Sequence, residues 1–102
     1  MELTPEVKQL FRGFHQGMEY CASGPEDIAM NALGFLKPEH VPGVKFFLDE
    51  LLSGRYSADQ IQAVWHTTPA DLYFHDANDA VKVLKLVRSY LDTHPYLTRP
   101  KV

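Results

Sequence analysis

The sequence predicts an all-α fold, a single-domain antiparallel bundle of about five short helices. Three observations carry this. Apolar residues recur at helical spacing in segment after segment. Proline and glycine divide those segments cleanly. The chain of 102 residues, 45% hydrophobic and 23% charged, has ordinary globular composition and suffices for one modest core.

The elements follow in order. Thr4 and Pro5 read as an N-cap and first helical position, where proline lacks only an N–H that would have no partner. Val7, Leu10, Phe11 and Phe14 form one stripe of a helix expected to end near Gly17. Residues 18–24 read as a connector. Pro25 opens a second helix, with Glu26 and Asp27 in the turn where the helix dipole favours negative charge. Ile28, Ala29, Ala32, Leu33, Phe35 and Leu36 supply its apolar side, and Pro38 is expected to stop it. Residues 38–43 read as a helical turn or loop. Val44, Phe47, Leu48, Leu51 and Leu52 give the clearest helix, with Gly54 in the position of a C′ glycine. Ser57 and Gln60 match a capping box, opening a short helix with Ile61, Val64 and Trp65 inward and Pro69 beyond its end. Residues 68–75 have no helical period, and Leu72–Phe74 are candidates for extended chain. Asp76 or Asn78 caps a last helix running to about Thr93, with Ala80, Val83, Leu84, Val87 and Leu91 on one face. The tail, 95–102, is expected to be loosely attached.

Composition narrows the function. Ten basic and thirteen acidic residues give a net charge of −3, unlike a strongly basic nucleic-acid binder. One cysteine, Cys21, makes no internal disulfide and suits a reducing compartment. No basic-then-apolar leader opens the chain, and no apolar run approaches a membrane span of ~20 residues. A cytoplasmic location and no membrane association are therefore expected. Charge is unevenly spread. Residues 39–79 hold seven acids and two bases, while 80–102 hold five bases and one acid. Acids at helix starts and bases toward helix ends account for part of this. The other reading is an acidic docking face that steers a basic partner.

Chemistry-bearing patterns are sparse. None of His15, His40, His66, His75 and His94 pairs at i+3 or i+4, and no cysteine pair exists, so no zinc signature is present. His66, Asp71 and His75 are close enough in sequence for a loop site, but surface or helix-end histidines are the expectation. Cys21 with His15 makes a weak dyad, since an isolated cysteine usually behaves as a small hydrophobe. Asp49 and Glu50, adjacent on a helix, point about 100° apart and read as a solvated face. Lys82 and Lys85, extended by Arg88, could touch a few phosphates only. No catalytic residue, metal or cofactor is expected. Tyr20, Tyr56, Tyr73, Phe74, Tyr90 and Tyr96 exceed what the stripes need. An aromatic anchor at Tyr73-Phe74, ringed by acids, stands beside plain core packing as its reading.

The order of these features resembles a family of small immunity proteins from bacterial contact-dependent growth inhibition systems. The family's aromatic-rich N-terminal stretch, of the type Tyr-Phe-His-Gln-(Asp)-Trp, corresponds to Gly13-Phe14-His15-Gln16-Gly17-Met18. A helix ending in a double leucine corresponds to Val44–Leu52. A capped helix start corresponds to Ser57-Ala58-Asp59-Gln60-Ile61, and the last helix to Val87-Arg88-Ser89-Tyr90-Leu91. The likeness covers about residues 10–92. Gly17 replaces the usual Asp and Met18 the usual Trp, so no acidic group acts there and the second position reads as core filler. The resemblance implies a cytosolic, non-enzymatic protein that binds the toxin domain of a cognate effector, often a nuclease, and blocks a surface it needs. Nucleases must attract phosphate, so an acidic inhibitor fits them by charge. The expected partner-binding face is Asp59, Asp71, Tyr73, His75, Asp76 and Asp79. The alternative is a non-catalytic adaptor domain, monomer or homodimer, using an apolar helix face. His15 and Gln16 are read as ties between the first helix and a neighbour.

Overall fold

In the computed structural model, which describes residues 3–14, 24–34 and 36–93, the apolar stripes become five α-helices and one 3-10 turn. Among the described residues there is no strand. The tail, residues 18–23 of the expected connector and the His15–Gln16 pair lie outside the described residues.

Helix α1 spans Pro5–Arg12, with the Thr4 hydroxyl accepting from the Val7 N–H at 3.4 Å. Val7, Leu10, Phe11 and Phe14 are wholly buried. The helix stops short of the expected end near Gly17. Gly13 and Phe14 turn back to the carbonyls of Leu10 and Phe11, at 3.0 and 3.1 Å, which tightens the last turn into 3-10 geometry. That turn frees the Phe14 carbonyl, which accepts from the Asp71 N–H at 2.7 Å. Gly13 has an ordinary helical φ of −73°. Its role is spatial, because a Cβ there would lie 2.7 Å from the Ala32 Cα.

Helix α2, Pro25–Leu33, also ends earlier than expected, with Gly34 as its C-cap rather than Pro38 as its stop. Leu36 is buried all the same, carried by a turn closed from its N–H to the Leu33 carbonyl. Phe35 lies outside the described residues. Pro38–His40 form the 3-10 turn, and helix α3 follows directly as Val41–Leu51. It begins three residues before Val44 because Pro42 falls in the first turn, where no N–H is required of it. Its C-cap is Leu52, so Gly54 stands one place past C′, in the turn itself, at φ +101°.

Helix α4 spans Ala58–His66 and opens on the capping box. The Ser57 hydroxyl accepts from the Gln60 N–H at 3.1 Å, and the Gln60 side chain accepts from the Ser57 N–H at 2.8 Å. Past its end, the buried Thr68 hydroxyl donates to the Trp65 carbonyl at 2.6 Å and accepts from the Ala70 N–H. Helix α5, Ala77–Thr93, buries Ala80, Val83, Leu84, Val87 and Leu91. Of the two candidate caps it uses Asp76, whose carboxylate accepts from the Asn78 N–H at 2.9 Å.

Helix α5 is the central element, packed against α2, α4 and α3, while α1 rests on α3 and α2. An aromatic cluster fills the middle. Trp65 meets Phe14 at 4.6 Å, Phe11 at 5.3 Å and Phe74 at 5.4 Å between ring centroids. Aromatic pairs at such separations add ~0.5–1.5 kcal/mol each beyond their buried area.

Candidate functional site

The non-helical segment 71–76 is built from behind. An extended segment without a partner strand must find other partners for its backbone groups. Three are supplied. The buried Trp65 Nε1–H donates to the Leu72 carbonyl at 2.7 Å. The Gln62 side-chain amide donates to the Phe74 carbonyl at 2.8 Å. Asp71 donates its N–H to Phe14. Leu72 turns into the core and Phe74 packs half-buried on Trp65. Alternation then sends Tyr73 outward, 56% exposed, its ring edge-on to His66 at 5.3 Å. The two readings of Tyr73-Phe74 are thus divided between the residues: Phe74 is core packing and Tyr73 is displayed.

The six expected site residues are all exposed, and the Asp76 carboxylate among them is committed to capping α5. Asp59, His75 and Asp76 come together around a groove of about 530 Å³ between the starts of α4 and α5, with Ser57, Gln62 and Asn78. Asp71, Tyr73 and Asp79 do not line it. Asp59 and Asp79 occupy first turns, so the helix dipole accounts for their placement and for that of Asp76. Asp71 is the acid in the segment that no helix start explains. Gln62 is not among the expected site residues, since nothing in its spacing signals a bond twelve residues away. For Trp65, the need of a buried indole N–H for an acceptor was a general hint.

The remaining charges are organised differently from the expectation. Arg88 does not extend a phosphate-binding row. Its guanidinium donates to both Asp49 oxygens, at 2.7 and 3.3 Å, and to Asp92 at 2.9 Å, while Lys45 pairs with Asp92 at 2.9 Å. This four-charge cluster ties α3 to α5. Asp49 stays 60% exposed on the solvated face expected for it while it pairs with Arg88, and Glu50 faces Arg55 at 3.6 Å. Hydrogen bonding to Asp49, then to Asp92, raises the Arg88 pKa, although partial burial opposes this. Lys45, then Arg88, hold the Asp92 carboxyl below the usual range. A carboxyl depressed in the folded state stabilises above its unfolded value, ~3.9, and that contribution is lost as pH falls through the lower folded value. Asp92→Asn is therefore expected to be less stable than the parent at neutral pH. The gap should close on acidification from about pH 5 toward pH 2 in urea titrations. A gap independent of pH would contradict the assignment.

Among the described residues, no group of three or more His, Cys, Asp or Glu side chains comes together to hold a metal ion, and His66, Asp71 and His75 form no such set. Cys21 and His15 lie outside the described residues. Tyr56 and Tyr90 are half-buried against the core, and Tyr20 and Tyr96 are outside the described residues. No described helix is long and apolar enough to cross a membrane. No family model, curated protein or solved structure matches the chain.

Proposed function

We propose that the chain is an immunity-type binding protein. It neutralises a cognate toxin domain, such as that of a nuclease, by stoichiometric contact in the cytoplasm and catalyses nothing itself. The observation that supports this reading is the display of Tyr73. Its backbone neighbours are fixed by three hydrogen bonds, so an aromatic anchor is held outward at little ordering cost to binding. Asp71 beside it, and Asp59 and His75 along the groove, supply the carboxylates and polar rim that a basic partner would meet. The resemblance in motif order supplies the class of partner.

The test is binding to the C-terminal domain of a large secreted protein encoded beside this gene. A 1:1 complex by calorimetry is expected. Tyr73→Ala should weaken it at least ~30-fold, the effect of losing an interface anchor. Charge reversal of Asp59 and Asp71 should slow association and flatten its salt dependence. Asp76 is best left intact, since reversing it would also uncap α5. Wild-type affinity and association rate in both variants would show that this face is the wrong one. A second reading, an adaptor domain that pairs through an apolar helix face, is favoured by the surface of α3 described next.

A further inference from the structure

Gly43, Phe46, Phe47 and Glu50 recur at i, i+3, i+4 and i+7, which places them along one side of α3. Phe47 is buried, whereas Phe46 is 73% exposed, the most exposed large apolar side chain among the described residues. An isolated exposed apolar side chain is common and needs no explanation. Phe46 is not isolated. It borders a groove of about 410 Å³ whose other walls are Thr4, Gly43, Phe47, Tyr56 and the Glu50–Arg55 pair. An apolar cavity of ~150 Å³ already accepts a benzene ring, so the groove has room for a phenylalanine side chain.

Gly43 adds to the case. It lies inside the first turn of α3, where glycine is a poorer helix former than alanine. The nearest neighbour of a Cβ there would be the Glu6 side chain, at an ordinary 3.5 Å. Packing within the chain therefore does not require glycine. Its effect is to leave the groove open.

We propose that a second copy of this chain occupies the groove, in a two-fold dimer in which each Phe46 enters the groove of the other. Knob and hole are adjacent on one surface, which is what an isologous interface demands. The charges agree. The rim carries one carboxylate and one guanidinium, 3.6 Å apart and solvent-accessible, so a two-fold mate can offer Arg55 to Glu50 and Glu50 to Arg55. A strongly acidic or basic partner would find no matching net charge here. No described residue lines both this groove and the one at Asp59, so the inference stands apart from the toxin-binding reading.

Sedimentation equilibrium tests it on the full chain. The expected mass is twice 11.6 kDa at high concentration, dissociating on dilution. Phe46→Asp should weaken association at least ~30-fold while leaving the melting temperature of the dilute monomer in place, because the side chain is exposed in the monomer. Arg55→Glu should weaken it as well, by setting like charges across the interface. Adding Glu50→Arg should restore it, a rescue that does not depend on how well Phe46→Asp folds. A wild-type protein that stays monomeric up to near-millimolar concentration would overturn the proposal. So would a Phe46→Asp protein that dimerises like its parent, or failure of the charge exchange to rescue Arg55→Glu.

Discussion

Trp65→Ala is expected to destabilise the protein by about 3–5 kcal/mol, the usual range for truncating a buried aromatic, measured by urea denaturation. The indole is 1% exposed and stands between α1, α4 and segment 71–75. Its removal opens a cavity beside Phe11 and Phe14 and leaves the Leu72 carbonyl without its buried donor. A domain of this size has roughly 5–15 kcal/mol in total, so the variant should lose a large fraction of its stability. Trp65→Phe separates the two effects. It keeps most of the ring packing and loses the N–H, so the residual cost should be about 1–3 kcal/mol, that of an unsatisfied buried acceptor. A loss below ~0.5 kcal/mol in Trp65→Phe would mean that the hydrogen bond to Leu72 contributes little beyond what water would provide.

Gly13→Ala is expected to be the other severe change, and its sign runs against helix propensity. Alanine is normally the better residue in a helical conformation by ~1 kcal/mol. Here the added methyl would lie 2.7 Å from both the Cα and the carbonyl oxygen of Ala32. Those atoms are backbone of α2, so relief requires the two helices to part, with an overpacking cost of about 1–3 kcal/mol. Gly34→Ala is the control. Its Cβ would meet one carbonyl oxygen at 3.2 Å, a contact a small shift can relax. If Gly13→Ala melts at or above the parent's temperature, α1 and α2 are not as close as described.

The fold was largely legible because the features that define it are local. The stripes of α1, α3 and α5, the proline starts and the Ser57–Gln60 box are each decided within a few residues. The ends of α1 and α2 were not, because tertiary contacts set them. By pattern Gly13 falls inside a helix expected to run on to Gly17, and it is the close approach to Ala32 that makes glycine necessary there. The same division holds for the site. Which acids cluster in sequence was plain, and Asp59, Asp76 and Asp79 stand at helix starts as the dipole favours. That Arg88 would be drawn to Asp49, 39 residues away, was not readable from a row of lysines on one helix. Nor was the exposure of Phe46 foreseen. It sits beside a perfect stripe, and only the packing of α3 decides which of two adjacent phenylalanines faces inward.

The hydrogen bond from Asp71 to Phe14 has a bearing on synthesis. It joins the start of the chain to a segment made much later, and neither end can satisfy the other until both have left the ribosome. Contacts of such long sequence separation form late, because loop closure precedes any reward. A nascent chain stalled before residue 71 would carry its first helix with one carbonyl unclaimed. The backbone on either side of Tyr73 would then be ordered only after residue 71 has met Phe14.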